Sequence, residues 1–295
     1  MTDEPMPVPT PPAHSWTALT DAGRLVLDAV AADPDGTLLA LDFDGTLSPI
    51  VEDPTASTMV EQSRAALARI DGQLAATAIV SGREVAAVRR MSEVDQRPGL
   101  EHLVILGQYG VERYDAASGA LRDPEIDPAV RRAKGRLEEL VARAGREEQA
   151  VQGSWVEDKG RAVAAHTRRA EDPARAFEVL APRVHELAEE LGLICEDGRN
   201  VIELKAVSTS KAEALTELIE EVEPRVVLMC GDDLGDLPAM RVVAEWIASG
   251  RPGARVVSAS PEQPEVARHA DVLCDQTVGV AAFLRDLANR VDATW

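Results

Sequence analysis

Short apolar runs, each closed by a polar or glycine turn, alternate with stretches of helical apolar spacing along most of the chain. Leu38, Leu39, Ala40 and Leu41 run into Asp42-Phe43-Asp44-Gly45, which predicts a buried strand over about 37–43. Before it, Leu19, Ala22, Leu25, Val26 and Val30 share a helical face, predicting a helix over 16–31 and a turn at Asp33-Pro34-Asp35-Gly36. After it come a helix over 58–70, a strand over 75–80 closed by Ser81-Gly82-Arg83, and a helix from about Glu84. A strand over 102–106 then ends at Gly107-Gln108-Tyr109-Gly110. This alternation predicts an α/β fold with a doubly wound parallel sheet, Rossmann-like in its core.

The rhythm changes over 111–202, where strands follow one another without intervening helices and two long helical patterns begin at Pro128 and Pro173. That segment is expected to be an inserted α+β cap domain, built as a small antiparallel sheet with two helices on one face. The α/β pattern resumes with a helix from Lys211, a strand over 225–230, further strands over 254–258 and 271–274, and a helix over 278–287. The expected organisation is a proline-rich disordered tail over 1–15, a core of 16–110 with 203–295, and a cap of 111–202.

Composition narrows the function. The chain has 295 residues, 45% hydrophobic and 28% charged, which suits a folded globular protein. A net charge of −20 argues against a nucleic-acid partner or an anionic membrane surface. The same field repels an anionic substrate, so a phosphate ligand requires a divalent cation and a local basic group. Cys195, Cys230 and Cys274 are odd in number and widely spaced, which excludes a disulfide framework or a thiolate metal site and points to a reducing compartment. No apolar run approaches membrane length, and the first residues lack the pattern of a signal peptide, so the expected location is cytoplasmic.

Asp42 and Asp44 leave the end of one strand on the same side. In open α/β sheets ligands bind at that edge. Such a pair suits either a hard cation or a division of nucleophile and acid/base roles, and an Asp-Gly turn is the bland alternative. Ser81 and Asp232-Asp233 fall at other strand ends, and Lys211 at a helix start. Together they supply what phosphoryl transfer needs: a carboxylate nucleophile, an acid/base, a hydroxyl and an ammonium for phosphate oxygens, and carboxylates for Mg²⁺. Asp236, two residues before Pro238, reads as a helix N-terminus.

This constellation resembles the haloacid-dehalogenase-type phosphatases, whose first motif is Asp-x-Asp-Gly-Thr. The resemblance implies Asp42 as the nucleophile that forms an aspartyl-phosphate, Asp44 as general acid/base, and Ser81 and Lys211 as phosphate-binding groups. It implies a Mg²⁺ cofactor on the Asp42 carboxylate, the Asp44 carbonyl and Asp232, with Asp233 in support. Leu41 to Ile50 with Asp53-Pro54, Ser81-Gly82-Arg83, Val156-Glu157-Asp158-Lys159-Gly160 and Gly107-Gln108-Tyr109-Gly110-Val111-Glu112 are similar to trehalose-6-phosphate phosphatases in particular. That likeness implies substrate contacts from Thr46, Gly82 and Arg83, sugar contacts from Glu157, Lys159 and Glu203, and a cap that closes over trehalose 6-phosphate. It also implies a functional link to a trehalose-phosphate synthase.

The chain departs from the family pattern at Tyr109, where a histidine is common, at Lys205-Ala206, at Ser210-Lys211-Ala212, and at Gly235 and Leu237. None of these removes a catalytic group, but they bear on sugar recognition. The rival readings are a phosphatase of another sugar phosphate, a hexose phosphomutase, and a silent partner subunit of a synthase. Trp155 is expected in the cap core and His166 in a structural role.

Overall fold

The computed structural model describes residues 8–293 apart from 52, 54, 55, 208 and 262. Of the tail expected over 1–15, residues 1–7 lie outside the described residues. The rest is tied down: Val8 packs on the apolar core, and Asp275 Oδ2 and N–H engage His14 N–H and the Ser15 carbonyl.

The first element is a strand where a helix was expected. Strand β1 (Trp16–Ala18) pairs antiparallel with the last strand of the sheet, and Trp16 packs edge-on against Phe283 at 5.4 Å while its Nε1–H donates to Asp286. Helix α1 (Asp21–Ala32) starts only after Thr20, whose hydroxyl oxygen accepts the Gly23 N–H and whose O–H donates to Asp271. The apolar spacing from 16 to 20 therefore serves an extended edge rather than a helical face.

Among the described residues the large sheet has nine strands, and six of them are parallel. These six are β2 (Thr37–Leu41), β3 (Ala76–Val80), β4 (Val104–Gly107), β11 (Val226–Gly231), β12 (Gly253–Ser258) and β13 (Val272–Cys274). Their order is β13-β12-β11-β2-β3-β4. Strand β2 is central and buried on both faces, as a parallel strand must be. Leu39 and Leu41 face a core built with Val26 and Val30 of α1, α2 (Glu61–Ile70), α3 (Val85–Ser92) and α8 (Gln276–Asp292). Leu38 and Ala40 face the opposite core, with Leu215 and Leu218 of α6 (Lys211–Val222) and Met240 and Val243 of α7 (Leu237–Ala248). Helices thus cover both faces. The chain leaves β2 toward β3 and β4 on one side and returns through β11 and β12 on the other, so the β2 carboxyl end lies at a switch point.

Residues 111–122, expected in the insert, extend this sheet instead. Strands β5 (Glu112–Asp115) and β6 (Ala120–Arg122) add antiparallel beyond β4, because a tight turn at Gly119 folds them back as a hairpin. The second compact unit therefore spans 124–208 rather than 111–202.

That unit has its own core. Strands β7 (Trp155–Asp158), β8 (Ala162–His166), β9 (Ile194–Gly198) and β10 (Val201–Lys205) form an antiparallel sheet in the order β7-β8-β10-β9. Helices α4 (Pro128–Glu147) and α5 (Pro173–Leu191) begin at Asp127-Pro128 and Asp172-Pro173, each Asp capping the first turn. They bury Leu137, Leu180 and Val184 against Val163, Ala165, Ile202 and Leu204. Alternation sends Ala162, Ala164, Glu203 and Lys205 to the other face. Among the described residues no helix is long and apolar enough to cross a membrane.

Gly23 gives a test of the packing at β1 and α1. A Cβ there would lie 2.1 Å from the Asp271 carbonyl oxygen. Gly→Ala inside a helix ordinarily stabilises by about 1 kcal/mol. Here Gly23→Ala is expected to lower stability by roughly 1–3 kcal/mol, as overpacking does, read as a shifted denaturant midpoint; a stabilised variant would refute the close approach.

Candidate active site

Four loops of the larger unit hold the residues expected to carry the chemistry. Asp42 extends the β2 ladder by one bond, its N–H donating to the Cys230 carbonyl, and its carboxylate is buried. The chain then turns sharply, with the Leu47 and Ser48 N–H groups donating to Phe43 O at 2.9 Å and the Gly45 N–H to Ser48 O at 2.7 Å. Gly45 has φ +73°, and a Cβ on it would lie 2.0 Å from Asp232 Oδ2. Glycine is required there for both reasons.

Lys211 is placed by helix capping. Ser210 and Glu213 form a reciprocal capping box that starts α6 at Lys211. Its Nζ donates to Asp42 Oδ1 at 2.5 Å and to Asp236 Oδ1 at 2.6 Å, all three side chains being buried. Burial works against the ammonium, but the carboxylates of Asp42, Asp236 and Asp233 outweigh it and hold the Lys211 pKa well above its usual value. Burial pushes Asp42 up against the pull of Lys211, with Asp236 and Asp232 adding to the rise.

Asp236 is the residue that reading the sequence missed. Expected to cap α7, it makes no side-chain cap bond. Its Oδ2 instead accepts the Asp232 and Asp233 N–H groups at 2.9 and 3.2 Å, so it shapes the loop after β11 and anchors Lys211 together. The four-residue spacing from Asp232 to Asp236 was the available signal, hidden because Asp before Pro is also a helix-start pattern.

The Asp42, Asp232 and Asp236 oxygens lie within 4.8 Å of one another. Three carboxylates thus face one ammonium in a buried setting. Burial, then Asp236 and Asp233, lifts Asp232 to about 7. Asp233 is raised likewise, and its Oδ1 is buried without a hydrogen-bond partner. An all-oxygen donor set with surplus negative charge and an orphaned carboxylate oxygen fits Mg²⁺.

Asp44 is held differently. Arg83 grips its carboxylate in a bidentate pair, Nε to Oδ2 at 2.6 Å and Nη2 to Oδ1 at 2.8 Å. The Asp44 carboxylate is thus engaged by Arg83 rather than by Lys211. Ser81 is buried at the end of β3, and its hydroxyl oxygen accepts the Arg83 N–H at 3.2 Å. Thr46 Oγ1 is buried with no hydrogen-bond partner. Tyr109 lies over Gly82, where a Cβ would meet its hydroxyl at 2.7 Å.

Glu157, Lys159 and Glu203 belong to the second unit. In its sheet Glu157 and Glu203 both pair with Ala164, one from each side, so the two carboxylates flank a small residue on one face. Lys159 Nζ donates to Glu203 Oε2 at 2.5 Å, and His166 Nε2 lies 2.7 Å from Glu157 Oε2. Trp155, expected in the core of this unit, is instead half-exposed. It stacks on the His166 ring at 4.6 Å with the Arg169 guanidinium 4.8 Å from its centre. A tryptophan that follows the loop into an edge strand points away from the helices, whereas Val156 packs on them.

The trehalose-phosphatase family model matches residues 40–270. The trehalose-6-phosphate phosphatase of Escherichia coli strain K12 is 29% identical over 174 residues, 58% of this chain and 62% of that protein. The chain thus matches less than two thirds of the length of this curated relative. The solved trehalose-6-phosphate phosphatase of Aspergillus fumigatus superposes with a TM-score of 0.66 at 22% identity, covering 92% of this chain and 99% of that one. The C-terminal domain of the Candida albicans trehalose synthase regulatory protein gives 0.61 at 13% identity, over 88% and 98%. At these identities the structures show a shared fold.

Asp236→Asn keeps the shape of the side chain but presents an amide N–H₂ to the Lys211 ammonium or to the two loop N–H groups. Removing one partner of a buried charge pair costs about 3–5 kcal/mol. The expected result is a loss of that order in chemical denaturation; a wild-type midpoint would show that Asp236 does not anchor Lys211.

Proposed function

The chain belongs to the trehalose-phosphatase family, and from that premise we propose that it hydrolyses trehalose 6-phosphate to trehalose and phosphate. The observation that carries this reading is the Lys211 ammonium bridging Asp42 and Asp236 beside Asp232. Asp42 attacks phosphorus, the ester P–O bond breaks, and the departing sugar oxygen takes a proton from Asp44. Asp44, now a carboxylate, removes a proton from water, which attacks the aspartyl-phosphate and frees Asp42. Arg83 donates to both Asp44 oxygens, and one of these bonds must open for that oxygen to carry the proton that Asp44 gives up. Lys211, the Ser81 hydroxyl, the Gly82 N–H and the unpartnered Thr46 hydroxyl take the phosphate oxygens. A bound Mg²⁺, held by the Asp42 and Asp232 carboxylates with the Asp44 carbonyl and supported by Asp233, would neutralise phosphate charge.

In this reading Glu157, Lys159 and Glu203 recognise sugar hydroxyls, with His166 holding Glu157. The substrate is the product of a trehalose-phosphate synthase, which makes such a synthase the functional partner.

Phosphate release from a panel of sugar phosphates, with Mg²⁺ and with chelator, tests the proposal. Mg²⁺-dependent release from trehalose 6-phosphate alone is expected. Release from many sugar phosphates would remove the roles given to Glu157, Lys159 and Glu203, and release from none would remove the activity. Asp42→Asn is expected to lower turnover by at least about 10³-fold with the fold intact. Asp44→Asn should slow both the departure of the sugar oxygen and the attack of water on the aspartyl-phosphate; full turnover in that variant rejects the acid/base role.

A further inference from the structure

The three cysteines are too far apart in sequence for a site of several thiolates, yet the second unit brings one of them to a mixed set of donors. Cys195 and Asp197 lie two apart on β9, so their side chains leave the strand on the same side. His185 stands on α5, which packs against that strand. One donor atom from each of His185, Cys195 and Asp197 lies within 4.8 Å of the others, and His185 Nε2 is 2.9 Å from Asp197 Oδ1. The proposed phosphatase chemistry uses none of the three. As a bare ion pair between half-exposed side chains, His185 and Asp197 would contribute little.

We propose that His185, Cys195 and Asp197 bind one divalent cation of the zinc class, which staples the edge strand β9 to helix α5. Imidazole nitrogen, thiolate sulfur and carboxylate oxygen are the three ligand types that Zn²⁺ takes. The thiolate selects against Mg²⁺ and Ca²⁺, which prefer oxygen throughout. Tetrahedral bonds of about 2.0–2.3 Å set neighbouring ligand atoms roughly 3.5 Å apart. The present spacing therefore needs side-chain closure on the order of an ångström, within reach of rotamer adjustment at partly exposed residues. Three protein ligands leave the fourth position to water, and the exposure of His185 and Asp197 provides an entry path.

The proton count is simple. Without an ion, burial together with Asp197 and Glu196 pushes the Cys195 thiol up to about 11, so it carries its proton at neutral pH. Metal binding breaks the S–H bond, forms the metal–sulfur bond and releases that proton to solvent. The imidazole binds as the neutral ring through one nitrogen, its proton resting on the other, and the hydrogen bond to Asp197 is given up. Thiolate and carboxylate together balance the charge of a divalent ion. Among the described residues β9 pairs with β10 alone, so a cross-link to α5 secures an otherwise one-sided strand.

Co²⁺ titration of the full chain, with Mg²⁺ in excess to occupy the oxygen-rich cluster at Asp42, tests the site by absorption. Only a thiolate ligand produces a sulfur-to-cobalt charge-transfer band, and Cys230 and Cys274 are fully buried. The expected result is a band that saturates near one equivalent, disappears in Cys195→Ser, and weakens in His185→Gln and Asp197→Asn. The loss of affinity in the last two should exceed the roughly 10–100-fold that losing an outer-shell partner costs. All three variants are expected to keep the wild-type circular dichroism and phosphate release. No band in the folded wild-type protein, or a band that survives Cys195→Ser, overturns the proposal.

Discussion

A single buried ammonium organises the larger unit. Lys211 enters a region where burial alone would strip its charge, and it stays charged because Asp42 and Asp236 close on it at hydrogen-bond distance. A buried pair of this kind gives little net stability, since desolvation consumes most of the attraction. Its value is positional. The contact fixes the end of β2, the start of α6 and the loop after β11 with respect to one another, and these segments are separated widely in sequence. Asp236 completes the arrangement by turning its second oxygen onto two backbone N–H groups.

The parallel sheet was legible because its strands are buried on both faces and read as continuous apolar runs between turn residues. The positions of Asp42, Ser81, Lys211 and Asp232 at element ends were legible for the same reason. What failed to show were features that depend on partners distant in sequence. Trp16 to Ala18 have apolar spacing compatible with a helix, and only pairing with β13 makes them a strand. Residues 111–122 look like the start of a new antiparallel module, yet β4 offers them an edge. Asp236 carries the local signature of a helix cap, and the competing demand of Lys211 lies 25 residues away.

The second unit illustrates the same limit from the other direction. Its helices were legible from Asp-Pro starts and apolar periodicity, since both signals are local. The residues on the sheet face away from those helices were not, because the pairing of Glu157 and Glu203 across Ala164 is a matter of register. Cysteine spacing likewise says nothing about His185, which reaches Cys195 only because α5 folds back on β9.

Two missing methyl groups set the charge density of the acidic cluster. A side chain at position 45 would occupy the place of an Asp232 oxygen, and one at 231 would occupy that of the Asp236 carboxylate, 2.3 Å from its Cγ. The main chain thus serves as a socket wall, and the approach of carboxylates that would otherwise repel is a steric decision taken by two hydrogen atoms. Any lineage that keeps the acids is thereby bound to keep the glycines, although neither glycine has a functional group to select.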